Sequence, residues 1–504
     1  MWNSVLTGLT NVFHISNLLA LVGGTGLGLL VGAMPGLSAT MAIALLVPVT
    51  FVMGPESGIT MLAAIYMGSM YGGSIAAILI RTPGTPSAAA TVMDGYPMAE
   101  RGEAGRALGI SLFASFVGGL ISSVVLLTVA PLLGHVAVMF GPVELTAVAV
   151  LGMTIIASLS QGSPVKGLLA GSLGLVLSTV GMDPITGIPR FTLDNIYLFS
   201  GIPFTVALIG LFSIPQVFRL IEKDEEAAER IGTFKDSVIR PWSELKTLMP
   251  TILRSTGIGV FTGIIPGTGG DTACWFAYNE AKRFYKPGSS KYDFGNGNPF
   301  GVAAPEASNN AVVGGALIPT ITLGIPGSSA TAVLLGGLMI HGIMPGPSLM
   351  TEYASVTYTL LWAVLFSNFV MLLEGIFFTR LCISVTKISN RILAVAIVIL
   401  CVIGAFAINN NFFDVGLMFC FGVVGYFMDK LKIPVPPLVV GLILGHMLDV
   451  SLHQSLLISG GSWMVFLTNP ISAVLLALAA LSLVQSTPWY AGWKKRRQAK
   501  KLAA

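Results

Sequence analysis

Long apolar runs separated by short polar turns dominate this chain. Continuous runs near the length of a membrane-spanning helix, roughly 20 residues, recur at 107–130, 137–160, 200–221, 355–378, 391–408 and 464–486. Further apolar stretches are interrupted by Pro and Gly. Counting both kinds, the pattern predicts about 12 transmembrane or re-entrant helices. The runs are continuous and do not alternate, so a β-barrel is rejected.

Two polar segments divide the apolar pattern. The stretch 222–246 is dense in charge and predicts a solvated helical linker, whereas 282–299 is rich in Gly, Ser and Asn and predicts an aqueous loop. The predicted organisation is a first transmembrane repeat at 1–220, a polar cytoplasmic linker at 221–250, a second transmembrane repeat at 251–380, C-terminal helices at 381–490 and a basic cytoplasmic tail at 491–504.

Composition places the chain in the helical membrane class. Its 504 residues are 54% hydrophobic and only 10% charged, with a mean hydropathy of +0.83, whereas soluble proteins carry about 25% charged residues. The predicted fold class is therefore an all-α integral membrane protein. No nucleic-acid, P-loop or dinucleotide signature is present, so we expect neither nucleic-acid binding nor ATP hydrolysis. The four cysteines lack metal-ligand spacing.

The distribution of basic residues predicts the orientation. Of the 27 Lys and Arg residues, seven lie between Arg219 and Arg254 and six lie after residue 493, whereas the first 80 residues contain none. Cytoplasmic loops carry the excess of Lys and Arg, which places the linker and the C-terminus inside and the N-terminus outside. The first half then crosses the membrane an odd number of times, so the second half starts from the opposite side.

Two helix-breaking motifs each occur twice, in the same order. Gly32-Ala33-Met34-Pro35-Gly36 is echoed by Gly263-Ile264-Ile265-Pro266-Gly267, and the break at Pro83-Gly84 is echoed at Pro326-Gly327. The offsets are 231 residues (35 to 266) and 243 residues (83 to 326). Broken segments at corresponding positions of two halves indicate a transporter's binding site. Together with the charge asymmetry, they predict two inverted repeats with discontinuous helices or hairpins at the Pro-Gly motifs.

The chemistry of a broken helix suits a carboxylate and a cation. Proline removes an N–H and clashes with the preceding turn, and lipid tolerates the freed backbone only where it lines a cavity or faces protein. A restarted helix presents free N–H groups and a partial positive charge to an anion, and unwound carbonyls can hold a cation. Ser38 and Thr40 are expected to cap the first restart, and Thr268 and Asp271 the second.

Polar residues after the second motif extend this site. Hydroxyls follow the break in both copies, and Pro305–Asn310 places an acid and two amides at the mouth of an apolar segment. The predicted substrate-binding residues are Gly32, Pro35, Gly36, Ser38, Thr40, Pro83, Gly84, Thr85, Ser87, Pro266, Gly267, Thr268, Gly269, Asn309, Asn310, Pro326, Gly327, Ser328 and Ser329. The predicted coupling-ion residues are Asp271, Glu306 and Thr331. No cofactor and no resident metal is expected, only transient Na⁺.

Blander readings of the same residues stay open. A Pro kink can be plugged by Ser and Thr hydroxyls, small residues can serve helix packing, and the amides can cap a loop. A gated channel is an alternative function, and a membrane enzyme is another. The enzyme is disfavoured because the acids and histidines are single and lack metal spacing.

The motifs resemble the large membrane subunit (TctA) of the tripartite tricarboxylate transporters. The resemblance rests on Gly-x-x-Pro-Gly at both sites, Asp94-Gly95-Tyr96-Pro97-Met98-Ala99, the 305–310 stretch and His341-Gly342-Ile343 followed by Pro345-Gly346-Pro347. It implies a non-enzymatic, multi-pass permease of the bacterial inner membrane. It further implies import of citrate-like tricarboxylates or other organic carboxylates by Na⁺ or H⁺ symport, a small four-helix membrane subunit as partner, and a periplasmic solute-binding protein that delivers the substrate.

Overall fold

The protein is described by a computed structural model. It describes residues 2–34, 37–137, 139–158, 164–183, 186–222, 236–286, 288, 290–385 and 390–486. Pro35 and Gly36, most of the predicted linker and the predicted basic tail lie outside the described residues. The domain boundaries stay predictions.

Helices account for nearly all of the regular structure. The first half contains α1 (Trp2–Val12), α2 (Ile15–Gly32), α3 (Ala39–Thr50), α4 (Pro55–Ile80), α5 (Val92–Glu100), α6 (Ala104–Ala137), α7 (Pro142–Ser158), α8 (Pro164–Ser178) and α9 (Phe204–Glu222). The second half contains α10 (Trp242–Ile264), α11 (Gly269–Phe284), α12 (Pro299–Leu323), α13 (Ser329–Ile340), α14 (Ala354–Val385), α15 (Asn390–Asn409), α16 (Phe412–Lys430), α17 (Val435–Ile458), α18 (Val465–Thr468) and α19 (Pro470–Ser486). Short 3-10 helices lie at Pro86–Ala88, Ile196–Leu198 and Pro347–Met350, and β1 (Gly181–Met182) pairs antiparallel with β2 (Pro189–Arg190).

The helical membrane class is confirmed. Among the described residues, eight helices are long and apolar enough to cross a membrane: α2, α4, α6, α9, α14, α15, α16 and α17. The count of about 12 crossings stays a prediction. One predicted run was wrong as a single helix: the run 464–486 divides into α18 and α19, because Pro470 begins a new helix after the extended residue Asn469.

The two motif-bearing helix pairs pack in the same way. α2 lies against α4 and α10 lies against α12, each through glycines that leave no room for a Cβ atom. A side chain at Gly28 would collide with the carbonyl oxygen of Ile65, and one at Gly259 with that of Ser308. These contacts are related by the motif offsets of 231 and 243 residues. Gly32 against Ser69 and Gly263 against Val312 repeat the relation one turn further along. The sequence repeat is therefore also a structural repeat.

The equivalent helices α4 and α12 run in opposite directions. Ser74 contacts Glu306, whereas Met67, earlier in α4, contacts Asn310, later in α12. Since α2 is parallel to α4 and α10 is parallel to α12, the whole second pair is inverted relative to the first. This antiparallel relation is the geometry that inverted repeats require.

The halves are interlocked as well as inverted. α6, from the first half, packs along α12 of the second, where Gly118 meets the backbone of Ala307 and Gly314 meets that of Ser122. Reciprocally, α14 packs along α4. The core therefore consists of helices of both halves, and the breaks of both halves lie near one another.

Candidate functional site

The helix breaks surround one cavity of about 530 Å³, a volume typical of small-ligand sites. Its walls come from both halves and from the α16–α17 connection. Polar and glycine residues that follow the breaks form much of the lining: Ser38, Thr40, Thr85, Ser87, Gly267, Thr268, Gly269, Asp271, Ser328 and Ser329. All ten belong to the sequence-predicted site, as does the lining residue Pro326.

The beginnings of three helices border this cavity. Ser38 precedes α3, and its hydroxyl accepts a hydrogen bond from Met41 N–H at 3.3 Å, so the predicted cap forms. Ser328 precedes α13 and forms a reciprocal capping box with Thr331. Gly269 begins α11. Their first turns direct free N–H groups and the positive ends of the helix dipoles toward the cavity, which suits an anion such as a carboxylate.

The break before α11 differs from its prediction. Thr268 does not cap α11, because its hydroxyl donates instead to the carbonyl oxygens of Thr262 and Ile265, the latter at 2.7 Å. It therefore closes the end of α10. The break is held in place by Gly267 N–H, which donates to the carbonyl oxygen of Gly327 at 3.0 Å. The two breaks of the second half are thus joined directly, as first-half Gly84 is packed against Gly32.

The second motif of the first half also departs from the predicted helix restart. After Pro83 the chain makes only a 3-10 turn at Pro86–Ala88 before α5 begins. Within this turn the hydroxyls of Thr85 and Ser87 lie 3.1 Å apart. Asp94 and its neighbours, expected to form another turn, lie inside α5.

Several lining residues were not predicted. Tyr66 and Met70 of α4 and Thr272 of α11 lie in the wall, and Asp429 and Lys432 contribute charge. The Tyr66 hydroxyl lies 3.0 Å from the Ser328 hydroxyl, which ties α4 to the start of α13. None of these residues adjoins a Pro-Gly pair in the sequence, so the motif search had no signal for them except the spacing of Thr272 one residue after Asp271.

The two predicted coupling acids occupy different environments. Asp271 lies in the first turn of α11 with its side chain exposed to the cavity. Glu306 is fully buried outside the lining, and its carboxylate accepts hydrogen bonds from Ser74 at 2.5 Å, from Ser115 at 3.2 Å and from Thr91. These hydroxyls belong to α4, α6 and the segment before α5. Asp271 can meet a ligand directly, whereas Glu306 connects helices of the two halves.

The predicted amides lie deeper than expected. Asn309 and Asn310 are not at the mouth of a segment but in the middle of α12, fully buried. The Asn309 amide donates to the carbonyl oxygen of Met70 at 3.1 Å, and among the described residues both amide oxygens lack a hydrogen-bond partner. Asn309 lies behind Gly270, where a Cβ atom would lie 3.1 Å from the amide oxygen. It therefore supports the wall formed by α11.

The remaining predicted residues lie behind the lining. Thr331 is occupied by the capping box of α13, where its hydroxyl accepts from Ser328 N–H at 2.9 Å. The described residues of the prediction that do not line the cavity are Gly32, Pro83, Gly84, Pro266, Asn309, Asn310, Gly327, Glu306 and Thr331. Pro35 and Gly36 lie outside the described residues.

Comparison with known proteins decides the family. Residues 18–440 match the model of the "Tripartite tricarboxylate transporter TctA family". The chain belongs to this family. A relative from Agrobacterium vitis, named as an uncharacterized 52.8 kDa protein in the TAR-I ttuC' 3' region, is 36% identical over 92% of this chain and 91% of its own length. Another from the same organism, named as an uncharacterized protein in the TAR-II ttuC' 3' region, is 34% identical over 45% of this chain and 92% of its own length. No solved structure matches the chain at a significant level.

Membership in the TctA family makes the chain a multi-pass membrane subunit of a tripartite transporter. The family description implies partner subunits and a transporter role. The cavity at the helix breaks is the natural place to examine transport in a TctA-family chain, because it joins both repeats within the membrane-spanning core.

The Asp94 motif has a structural role in this TctA-family protein. The Asp94 carboxylate is buried and accepts hydrogen bonds from the backbone N–H groups of Gly295, Gly297 and Asn298 at 2.7–2.9 Å, and from the Tyr278 hydroxyl at 2.8 Å. It holds the predicted polar loop against the first half, at the start of α12. The motif therefore positions α12, which carries Glu306, and does not line the cavity.

Proposed function

We propose that this chain is the permease subunit that imports citrate-like tricarboxylates or other organic carboxylates by Na⁺ or H⁺ symport. The proposed site of transport is the bacterial inner membrane. A periplasmic binding protein delivers the substrate, and a small four-helix membrane subunit completes the complex. The observation that carries this proposal is the convergence of helix beginnings from both repeats on one cavity that also holds Asp271.

Carboxylate binding follows from the donors at the cavity. The first turns of α3, α11 and α13 offer backbone N–H groups, which are neutral, fixed in position and already aligned with helix dipoles. Hydroxyls such as Ser38, Thr85 and Ser329 supply further donors with rotatable hydrogens. Such a set binds carboxylates without a buried arginine and its desolvation cost, so release on the far side is not opposed by a strong ion pair.

Coupling to a cation follows from Asp271. A carboxylate substrate in the same cavity would be repelled by an ionised aspartate, and the repulsion is strong where water is scarce. Na⁺ bound at Asp271, or a proton on it, removes that repulsion. Each ligand then favours binding of the other, because linkage is reciprocal. Glu306 joins the two halves beside this site and is the second proposed coupling position.

Movement of one repeat against the other would expose the site alternately. Since α3 and α11 belong to different repeats, a relative displacement changes the width of the cavity from one side while their N-terminal ends still face the substrate. This is the arrangement expected when inverted repeats meet at a site formed by broken helices.

The test is uptake of labelled citrate by proteoliposomes that contain the chain and its two partner subunits. Inward Na⁺ and H⁺ gradients are imposed separately and together. We expect accumulation above the equilibrium level with one gradient and its collapse when an ionophore dissipates that gradient. Counterflow should be saturable. Uptake that survives removal of both gradients, or an unsaturable citrate current, would exclude symport and favour a channel.

A further inference from the structure

Four basic side chains gather at the corner that joins α16 to α17. Three of them have partners: Lys166 donates to the carbonyl oxygen of Leu431 at 2.5 Å, Arg219 pairs with Asp429 at 2.7 Å, and Lys430 pairs with Glu222 at 2.7 Å. The fourth, Lys432, is in no ion pair with the described residues, and it lines the cavity. Among the described lining residues it is the only Lys or Arg.

The backbone at Lys432 is one that glycine ordinarily occupies. Its φ angle is +54°. Lys432 N–H donates to the carbonyl oxygen of Asp429 at 3.0 Å, and Ile433 N–H donates to that of Met428 at 2.7 Å. These two bonds form the Schellman motif that ends many helices with a left-handed residue.

The same motif ends three other helices of this chain, and each of those uses glycine. The equivalent residues are Gly102 after α5, Gly342 after α13 and Gly460 after α17, with φ angles of 82°, 72° and 62°. A lysine in this conformation is strained relative to glycine. Helix termination therefore does not account for the side chain at position 432, and the cavity is what that side chain meets.

Resting on the carboxylate site proposed above, we propose that Lys432 is a specificity-determining residue that binds a second carboxylate of the substrate. The helix beginnings bind one carboxylate through neutral donors. Lys432 supplies the one basic side chain of the described lining, on a flexible stem with three donors. A substrate with two or three carboxylates gains this contact, whereas a monocarboxylate gains nothing from it. The site is thus selective for polycarboxylates.

The experiment measures ligand-induced stabilisation of the purified full-length chain during thermal unfolding at constant ionic strength. The probes are butyrate, glutarate and tricarballylate, which carry one, two and three carboxylates on short aliphatic chains. The test variants are Lys432→Gly, which removes the charge and relieves the backbone, and Lys432→Arg, which keeps the charge. Lys430→Ala is the matched control, because it removes a basic side chain from the same helix end without touching the cavity.

In the wild type and in Lys430→Ala, tricarballylate should bind more tightly than butyrate. Lys432→Gly should weaken tricarballylate binding by about tenfold, the loss expected for one charge-assisted hydrogen bond, and leave butyrate binding nearly unchanged. Its unfolding temperature without ligand should equal or exceed that of the wild type, and Lys432→Arg should keep most of the selectivity. Retained selectivity in Lys432→Gly would overturn the inference alone. Failure of all three probes to stabilise the wild type would overturn the carboxylate site itself.

Discussion

A single position makes the two repeats chemically unequal. Asp271 follows its motif at the place that Thr40 occupies in the first repeat, since both are related by the offset of 231 residues. Both line the cavity. A symmetric pair of carboxylates would repel the substrate twice, whereas a symmetric pair of hydroxyls would leave no group to bind the coupling cation. One acid and one hydroxyl combine anion binding with a single cation-sensitive position.

Replacing Asp271 tests this role at the residue scale. Asp271→Asn preserves the shape and removes the charge, so the repulsion that the cation relieves disappears. We expect the Na⁺ or H⁺ dependence of citrate binding to fall by about tenfold or more, as expected for the loss of one close charge contact, and concentrative uptake in proteoliposomes to be lost. Glu280→Gln, in the same helix but outside the cavity lining, should behave as the wild type. Unaltered cation dependence in Asp271→Asn would assign coupling elsewhere.

At the scale of helices, close glycine contacts hold the paired elements together. Gly28 faces the backbone of α4, and Gly23, in the same helix, faces open space. Gly28→Ala should therefore destabilise the protein by about 1–3 kcal/mol, the usual cost of overpacking. Gly23→Ala should be neutral or stabilising by up to about 1 kcal/mol, because alanine favours a helix. Thermal unfolding in detergent measures both variants. Equal effects of the two substitutions would contradict the packing described for α2 and α4.

The sequence allowed the helix breaks and much of the cavity lining to be predicted, because Pro and Gly act locally on the backbone. Ser38 could be identified as a cap since it directly precedes an apolar helix. The role of Thr268 could not, because its hydroxyl has a choice between a free N–H ahead and a carbonyl behind, and only the folded break decides. Asn309 and Asn310 were misplaced because a helix that is buried all round shows no polar face to mark its start.

The charged residues of the α16–α17 corner were missed for a different reason. Lys432 is more than 100 residues from the nearest repeated motif in the sequence, and packing of α17 beside the second repeat brings it to the cavity. Only its left-handed backbone, which no sequence pattern reported, distinguishes it from an ordinary interfacial lysine.

At the scale of the whole molecule, the orientation in the membrane stays a prediction that accessibility can test. The end of α16 is joined to the end of α9 by the Lys430–Glu222 ion pair, and the predicted cytoplasmic linker follows α9. In a background without native cysteines, Lys430→Cys should react with an impermeant maleimide from the cytoplasmic side. Phe412→Cys, exposed at the opposite end of α16, should react from the periplasmic side. The reversed pattern would invert the topology.

The interlocking of the halves has a consequence for biosynthesis. The hydroxyls of Ser74 and Ser115 enter the membrane with the first half, yet their acceptor, Glu306, is translated some 190 residues after the later of them. Until α12 arrives, the groove between α4 and α6 holds polar groups without their native partner, which is unfavourable in lipid. The nascent first half is therefore a client for the insertion machinery and for membrane proteases, and complete synthesis rather than domain-wise folding sets the yield of transporter.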